Sequence, residues 1–246
     1  MRRSLPLLLA ASLAAPLATS SPAFAQDGFL FRAPTLSLTV RAVHSSPRAE
    51  GDVFTFMTDE LTLERGDFAA AGFGVDAGIR VHDRFDVVLG VSRVQSAQRS
   101  EFRDYIGDDD LPIEQTTKLL RVPVTAAVRW YPLPRGRSLA AHAWIPARLT
   151  PYLQVGGGLQ WYRLAQEGDF VDYESLAIFR DELRSSGTSA IGQVGGGLEY
   201  WVTSNVGLSV DGRYGWSSAG LEDSFRDFDS IDLSGYQAAL GLAFRL

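Results

Sequence analysis

The residues best suited to nucleophilic chemistry are a histidine and two serines in succession, at His44-Ser45-Ser46. A serine hydroxyl within hydrogen-bond distance of a histidine can attack an acyl group. The other histidines, His82 and His142, fall in predicted turns at the opposite end of the molecule, and the chain has no cysteine. A catalytic assignment needs a geometry that this short string does not supply. We therefore predict no catalytic residues, and an acyl-modifying enzyme is kept as an alternative.

A second set of candidate residues consists of charged side chains that alternate with apolar ones. Side chains two residues apart along a strand share a face, so these charges lie on the face opposite the apolar side chains. The set is Arg41, Asp76, Arg80, Asp86, Arg121, Arg129, Glu199, Asp211, Arg213 and Arg245. If that face lines a narrow interior, charges of opposite sign should pair, because an isolated buried charge costs several kcal/mol. The sequence therefore predicts an interior network of ion pairs, with a selective pore as the alternative.

Eight alternating segments are long enough to cross a bilayer as tilted strands, which takes about 9 to 11 residues. The predicted strands are 35–43, 70–81, 85–95, 117–131, 151–162, 190–202, 206–216 and 235–246. In the last one, Tyr236, Leu240 and Phe244 share the apolar face, while Arg245 lies on the other. Eight strands leave an interior that side chains fill. The pattern thus predicts an all-β fold, an eight-stranded antiparallel up-and-down transmembrane barrel with its apolar face outward.

Aromatic residues at the strand ends fit the interfacial girdles of such a barrel. They are Phe85, Trp130, Tyr131, Trp161, Tyr162, Tyr200, Trp216, Tyr236 and Phe244.

The connections between the predicted strands alternate in length. Long external loops are predicted at 44–66, 96–116, 163–189 and 217–234, and tight turns at 82–84 and 203–205. Bacterial barrels place long loops outside and short turns in the periplasm. The middle link on the turn side, 132–150, is long, contains three prolines and shows little strand pattern.

The N-terminus predicts export. Arg2 and Arg3 precede an apolar stretch, and Ala23-Phe24-Ala25 forms a cleavage site for a signal peptide. We predict a signal peptide at 1–25, a short segment at 26–34 and the barrel at 35–246. Removing the two arginines changes the formal net charge from −6 to −8. An acidic exported protein is a poor candidate for nucleic-acid binding, which depends on neutralising phosphates.

The segments RVPVTAAVRWYP at 121–132 and PYLQVGGGLQWY at 151–162, together with the alternating terminal strand, resemble the small eight-stranded outer-membrane barrels. This broad porin-like or OmpA-type family includes the OmpX/Ail and opacity-type proteins. The resemblance implies residence in the outer membrane of a Gram-negative bacterium, contact with lipopolysaccharide, delivery by the outer-membrane assembly machinery and a monomeric state. It specifies architecture far better than activity.

Three cations continue the lipid-facing series at the predicted external ends of neighbouring strands: Arg93, Lys118 and Arg163. An outward charge is costly in hydrocarbon and costs little at the interface. We interpret this row as a contact to lipopolysaccharide phosphates. The alternative is that the three side chains mark the rim and point into water.

The predicted external loops are acidic, most densely at Asp104 and at 108–110. No spaced ligand pattern such as an EF-hand is present, so no metal site is predicted. The two GGG strings lie within strands and do not lead into a helix, which excludes a phosphate-binding loop, and no cofactor is predicted.

The sequence therefore favours a non-enzymatic surface protein, in which a barrel anchors acidic external loops that serve envelope integrity or surface interaction. A narrow transport channel for small or apolar molecules and a lipopolysaccharide-modifying acyl enzyme are the alternatives.

Overall fold

A computed structural model describes residues 29–107, 110–140, 143–172, 175 and 177–246. The predicted signal peptide at 1–25, Asp108, Asp109 and His142 lie outside the described residues. Among the described residues, no helix is both long and apolar enough to cross a membrane.

Eight antiparallel strands close into a barrel, each paired with its neighbour along the chain and the last with the first. They are β1 (Leu36–Pro47), β2 (Ala70–His82), β3 (Phe85–Ile106), β4 (Pro112–Trp130), β7 (Leu149–Val171), β8 (Ile178–Trp201), β9 (Val206–Trp216) and β12 (Gly235–Arg245). Closure places Ser37 opposite Arg245, so the barrel begins and ends at the same rim. We call this rim, with the short turns, the turn end, and the opposite rim the loop end. The predicted up-and-down barrel is confirmed.

Strands β3, β7 and β8 are far longer than predicted, and β4 begins five residues earlier than predicted. β3 and β4 stay paired beyond the apolar segment, with Glu101 opposite Glu114, and β7 and β8 pair out to Val171 and Ile178. The prediction of long loops at 96–116 and 163–189 is therefore wrong, because these stretches are mostly hairpin extensions. Most of their outward residues are polar, so the apolar alternation ends although the backbone ladder continues.

The barrel exterior is apolar and its interior is polar. Leu89 and Val124 leave 56% and 57% of their surface exposed, whereas Arg41 and Asp76 leave 3% and 2%. The same inversion runs through all eight strands, as the alternation predicted. A water-soluble barrel would place these large apolar side chains inside.

A small hairpin lies at the turn end, in the link for which the sequence showed little strand pattern. It consists of β5 (Gly136–Ala140) and β6 (Ala143–Pro146). Trp144 is buried, and its backbone exchanges two hydrogen bonds of 2.8 Å with Leu30. The hairpin and the segment before β1 therefore close this rim together.

The loop end is covered by folded segments, which we call the loop-end cap: residues 48–69 and 217–234. They contain helix α1 (Asp52–Glu60), two 3-10 helices (Arg65–Phe68 and Asp223–Phe225) and the short pair β10 (Ser218–Ala219) and β11 (Ile231–Asp232). Helix α1 is amphipathic, because Val53, Phe54 and Met57 share one buried face. They pack with Phe68, Leu221, Phe225 and Ile231 of the cap and with Leu119, Tyr162 and Leu164 of the barrel wall.

Candidate functional site: the barrel lumen and its two closures

The centre of the lumen contains an ion-pair network of three arginines and three acids. Asp76 accepts from Arg41 at 2.9 Å and from Arg213 at 2.5 Å, and it lies 3.6 Å from Arg129. The other contacts join Arg213 to Asp211 at 2.7 Å, Arg41 to Asp211 at 3.6 Å and Arg129 to Glu199 at 3.2 Å. We call these six residues the central network. Its formal charges cancel, and it ties β1, β2, β4, β8 and β9 across the lumen.

Glycines on the inward face make room for the central network. A Cβ at Gly90 would lie 2.6 Å from Asp76 Oδ1, and one at Gly195 would lie 2.9 Å from Arg213 Cγ. Real Cβ atoms essentially never approach so closely. Glycine at these positions therefore relieves crowding in a barrel this narrow.

The turn end has its own charge cluster, centred on Asp86. Arg135 donates from Nη1 to both carboxylate oxygens of Asp86, at 2.7 and 2.8 Å, and from Nη2 and Nε to the carbonyls of His82 and Asp83. Tyr131 donates to Asp86 at 3.2 Å. Arg135 thereby joins the hairpin segment to the β2–β3 turn.

Two of the predicted girdle residues are not at the surface. Tyr131 and Tyr162 are almost fully buried, and Tyr162 donates to the carbonyl of Gly220 in the cap at 2.7 Å. Their assignment to a lipid-facing girdle is wrong because both lie on the inward phase of their strands. Trp130, Trp216 and Tyr236 are exposed.

The remaining predicted lumen residues lie outside the central network. Arg80 pairs with Asp83 of the turn at 2.8 Å. Arg245 stacks over Trp201, with its guanidinium carbon 3.5 Å from the ring centroid, and pairs with no carboxylate among the described residues. Arg121 is buried and donates to Ser45 Oγ at 3.0 Å, again with no carboxylate partner in the described part of the chain.

Two small cavities lie in the described part of the lumen. One cavity of about 30 Å³ lies between the central network and the cap, and a second of about 30 Å³ lies at the turn end beside Trp144. Each has room for only a few water molecules. The central network, the cap and the hairpin thus lie in series along the lumen axis.

The three outward cations lie on the exterior of neighbouring strands. Arg93 and Arg163 are exposed, and Arg163 lies over the ring of Trp161 at 5.2 Å. Lys118 is paired with Glu167 at 3.0 Å. The register sets Leu120 opposite Arg163 and Lys118 opposite Ala165, so these two cations belong to successive rows.

The candidate nucleophilic string is split by the strand. Ser45 is buried on the inward face beside Arg121, while His44 is exposed on the outward face. Neighbouring strand residues point to opposite sides of the sheet, so His44 is not placed to activate Ser45. Ser46 is exposed on the same outward face as His44, and no hydrogen bond joins the two among the described residues.

The exposed apolar side chains of the barrel exterior, which we call the apolar belt, indicate which medium surrounds the barrel. In a soluble protein its large side chains would contact water. Closed strand pairing gives the backbone N–H and C=O groups of the barrel the hydrogen-bond partners that hydrocarbon cannot supply. It is a membrane-spanning barrel. Antiparallel barrels of this kind reside in the bacterial outer membrane, and that is the membrane to which we assign it.

Comparison with known proteins gives likenesses of fold only. No protein-family model and no curated protein sequence matches the chain. Among solved structures, it is similar to Neisserial surface protein A, at 17% identity and a TM-score of 0.44 over 86% of this chain and 97% of that one. It is also similar to the outer membrane protein OprG of Pseudomonas aeruginosa, at 10% identity and a TM-score of 0.49 over 87% and 97%. Ail of Yersinia pestis aligns at 11% identity and a TM-score of 0.45 over 87% and 100%.

Sequence reasoning missed both closures of the lumen. Arg135 and Trp144 lie in the proline-containing link, where no alternation marks them. Helix α1 could have been found, since Val53, Phe54 and Met57 follow helical spacing within a segment taken as a loop.

Proposed function

We propose that this protein is a non-enzymatic surface protein of the outer membrane, in which a closed barrel anchors the loop-end cap toward the cell exterior. The observation that carries the proposal is the cap itself. Its segments form an apolar core with the barrel wall, built on side chains such as Phe54, Phe68 and Phe225. A membrane anchor alone does not need a folded structure above it.

The charge of the cap supports a role in surface interaction. Asp52, Asp59, Glu64, Asp223 and Asp227 are exposed on it. An acidic surface of this kind repels polyanions and attracts basic partners at low ionic strength. Transport through the lumen is not favoured, because the cap, the central network and the turn-end hairpin lie across its path.

Orientation can be tested by labelling, because the natural chain contains no cysteine. Asp227→Cys places a thiol on the exposed cap, and Arg84→Cys is a matched control in an exposed turn at the opposite rim. In intact cells a membrane-impermeant maleimide should label the first variant, and the second only after lysis. Labelling of Arg84→Cys alone in intact cells would reverse the proposed orientation.

The role of the cap is tested by replacing 48–66, 217–234 or both with short Gly-Ser turns on the unchanged barrel. Cells displaying the natural protein should adhere to a panel of extracellular-matrix proteins and basic polypeptides more than cells with the capless barrel at equal surface abundance. Equal adherence across the whole panel would refute a role for the cap in surface interaction.

We further propose that Arg93, Lys118 and Arg163 contact phosphate groups of lipopolysaccharide. Arg93 and Arg163 are exposed on the outward face, and charge-assisted bonds to phosphate are among the stronger hydrogen bonds. Lys118 contributes less, because Glu167 already pairs with it. Trp161 beneath Arg163 sets the depth of that side chain.

Substitution of all three cations by Gln should reduce the lipopolysaccharide that co-purifies with the barrel and lower its melting temperature in lipopolysaccharide-containing membranes. The single variant Lys118→Gln should have the smallest effect. Unchanged co-purification and melting in the triple variant would contradict the contact.

A further inference from the structure

The cavity between the central network and the cap, which we call the lumen chamber, is lined by three arginines and no acidic residue. The arginines are Arg41, Arg121 and Arg213. Arg41 and Arg213 belong to the central network, where three acids balance three arginines. That network therefore has no carboxylate left to balance Arg121.

Arg121 is the least compensated charge facing the chamber. It leaves 5% of its surface exposed, and the single side-chain hydrogen bond it makes among the described residues goes to Ser45 Oγ at 3.0 Å. A guanidinium carries five N–H donors and remains charged in proteins. A buried cation without a counter-charge is strongly unfavourable, so an anion beside Arg121 would stabilise the folded barrel.

Other polar groups around the chamber also lack partners. The Nε2 atom of Gln160 and the Nε atom of Arg41 are buried without a hydrogen-bond acceptor. Both residues line the chamber beside Arg121. Water could accept these hydrogen bonds, but a neutral molecule would leave the excess positive charge in place.

The size of the chamber limits the ligand. With a volume of about 30 Å³, it admits a monatomic anion or a few water molecules and excludes a nucleotide, a sugar phosphate or a lipid headgroup. The cap borders it on one side, where Leu233 contributes to the lining, and the central network borders it on the other.

We propose that the lumen chamber binds one small inorganic anion, such as chloride, held by Arg121 with Gln160 and Arg41 as further donors. The anion completes the charge balance of the interior above the central network. It is trapped when the cap closes, so it acts as a structural ion of the folded barrel. The site does not depend on any role of the cap outside the cell.

The first test is thermal melting of the full protein purified from membranes into detergent, in sodium chloride or sodium gluconate at constant ionic strength. A ligand that binds only the folded state raises its stability with concentration. Above the dissociation constant, the melting temperature should rise by about 3–6 °C for each tenfold increase in chloride and remain flat in gluconate. Arg121→Met should abolish the chloride dependence, whereas Arg99→Met, an exposed arginine on the same barrel, should retain it.

The second test locates the ion by anomalous diffraction from crystals grown in sodium bromide. A bromide peak within hydrogen-bond distance of the Arg121 guanidinium is the expected result. The proposal is overturned if the chamber contains water only, if bromide binds elsewhere, or if Arg121→Met shows the same chloride dependence as the natural protein.

Discussion

At the scale of single residues, Asp76 is the acid that contacts the most arginines in the central network. It is buried and contacts Arg41, Arg129 and Arg213, which come from three different strands. The alternation of charged and apolar residues predicted that these side chains would face inward. It could not predict which would pair, because pairing depends on the register and tilt of strands distant in sequence.

Asp76→Asn should destabilise the folded barrel by about 3–5 kcal/mol, because removing one partner leaves buried cations uncompensated. The measurement is urea-induced unfolding in lipid vesicles, followed by tryptophan fluorescence. Asp83→Asn is the matched control, since its pair with Arg80 lies at an exposed turn and should contribute less than about 1 kcal/mol. Equal effects of the two substitutions would show that the central network is not a main source of stability.

At the scale of secondary-structure elements, helix α1 holds the cap closed through one apolar face. Gly51, just before the helix, has a φ of 109°, and a Cβ there would lie 2.9 Å from the Ser230 carbonyl oxygen. The close approach of Gly51 to Ser230 places the start of the helix against the second segment of the cap, 217–234. The strands were predictable because their alternation is regular, while the cap depends on contacts between segments about 170 residues apart.

Phe54→Ala should lower the free energy of opening the cap by about 3–5 kcal/mol and leave the barrel folded. Phe54 is fully buried and packs edge-to-face on Phe68, with ring centroids 4.8 Å apart. Amide hydrogen exchange should speed up in 48–69 and 217–234 and stay slow in β1 and β12. Phe56→Ala, on the more exposed face of the same helix, is the control, and loss of protection across the whole barrel would contradict an independently opening cap.

The attachment of the turn-end hairpin to the barrel should depend on the ion pair between Arg135 and Asp86. Arg135→Met leaves Asp86 buried without its cation, and we expect a loss of about 3–5 kcal/mol in unfolding free energy. Arg137→Met, an exposed arginine two residues further along, should change stability by less than about 0.5 kcal/mol. Comparable losses in both variants would argue against the Arg135–Asp86 contact as the hairpin's attachment.

At the scale of the whole molecule, the defining feature is the inversion of a soluble protein, with charge inside and apolar residues outside. This followed from the sequence because the period of two, the apolar phase and the connection lengths all pointed to the same architecture. The hairpin extensions did not follow, because polar strands beyond the membrane lack an apolar face to mark them.

A cation placed on the exterior should therefore have a cost that depends on depth. Leu89→Arg, midway along the apolar segment of β3, should reduce stability in lipid vesicles by about 2–4 kcal/mol, and Val81→Arg, near the turn end, by about 0–1 kcal/mol. Both positions are exposed in the structure, so neither substitution disturbs the lumen. Equal losses of stability at the two positions would contradict a bilayer around the apolar belt.

The central claim is that this membrane-spanning barrel is closed along its lumen, and single-channel recording in planar bilayers tests it most directly. The account predicts no stepwise conductance from the purified natural protein at moderate voltages, with an open porin of known conductance as a positive control in the same bilayers. Reproducible open-channel steps from the natural protein, retained after repurification, would contradict it.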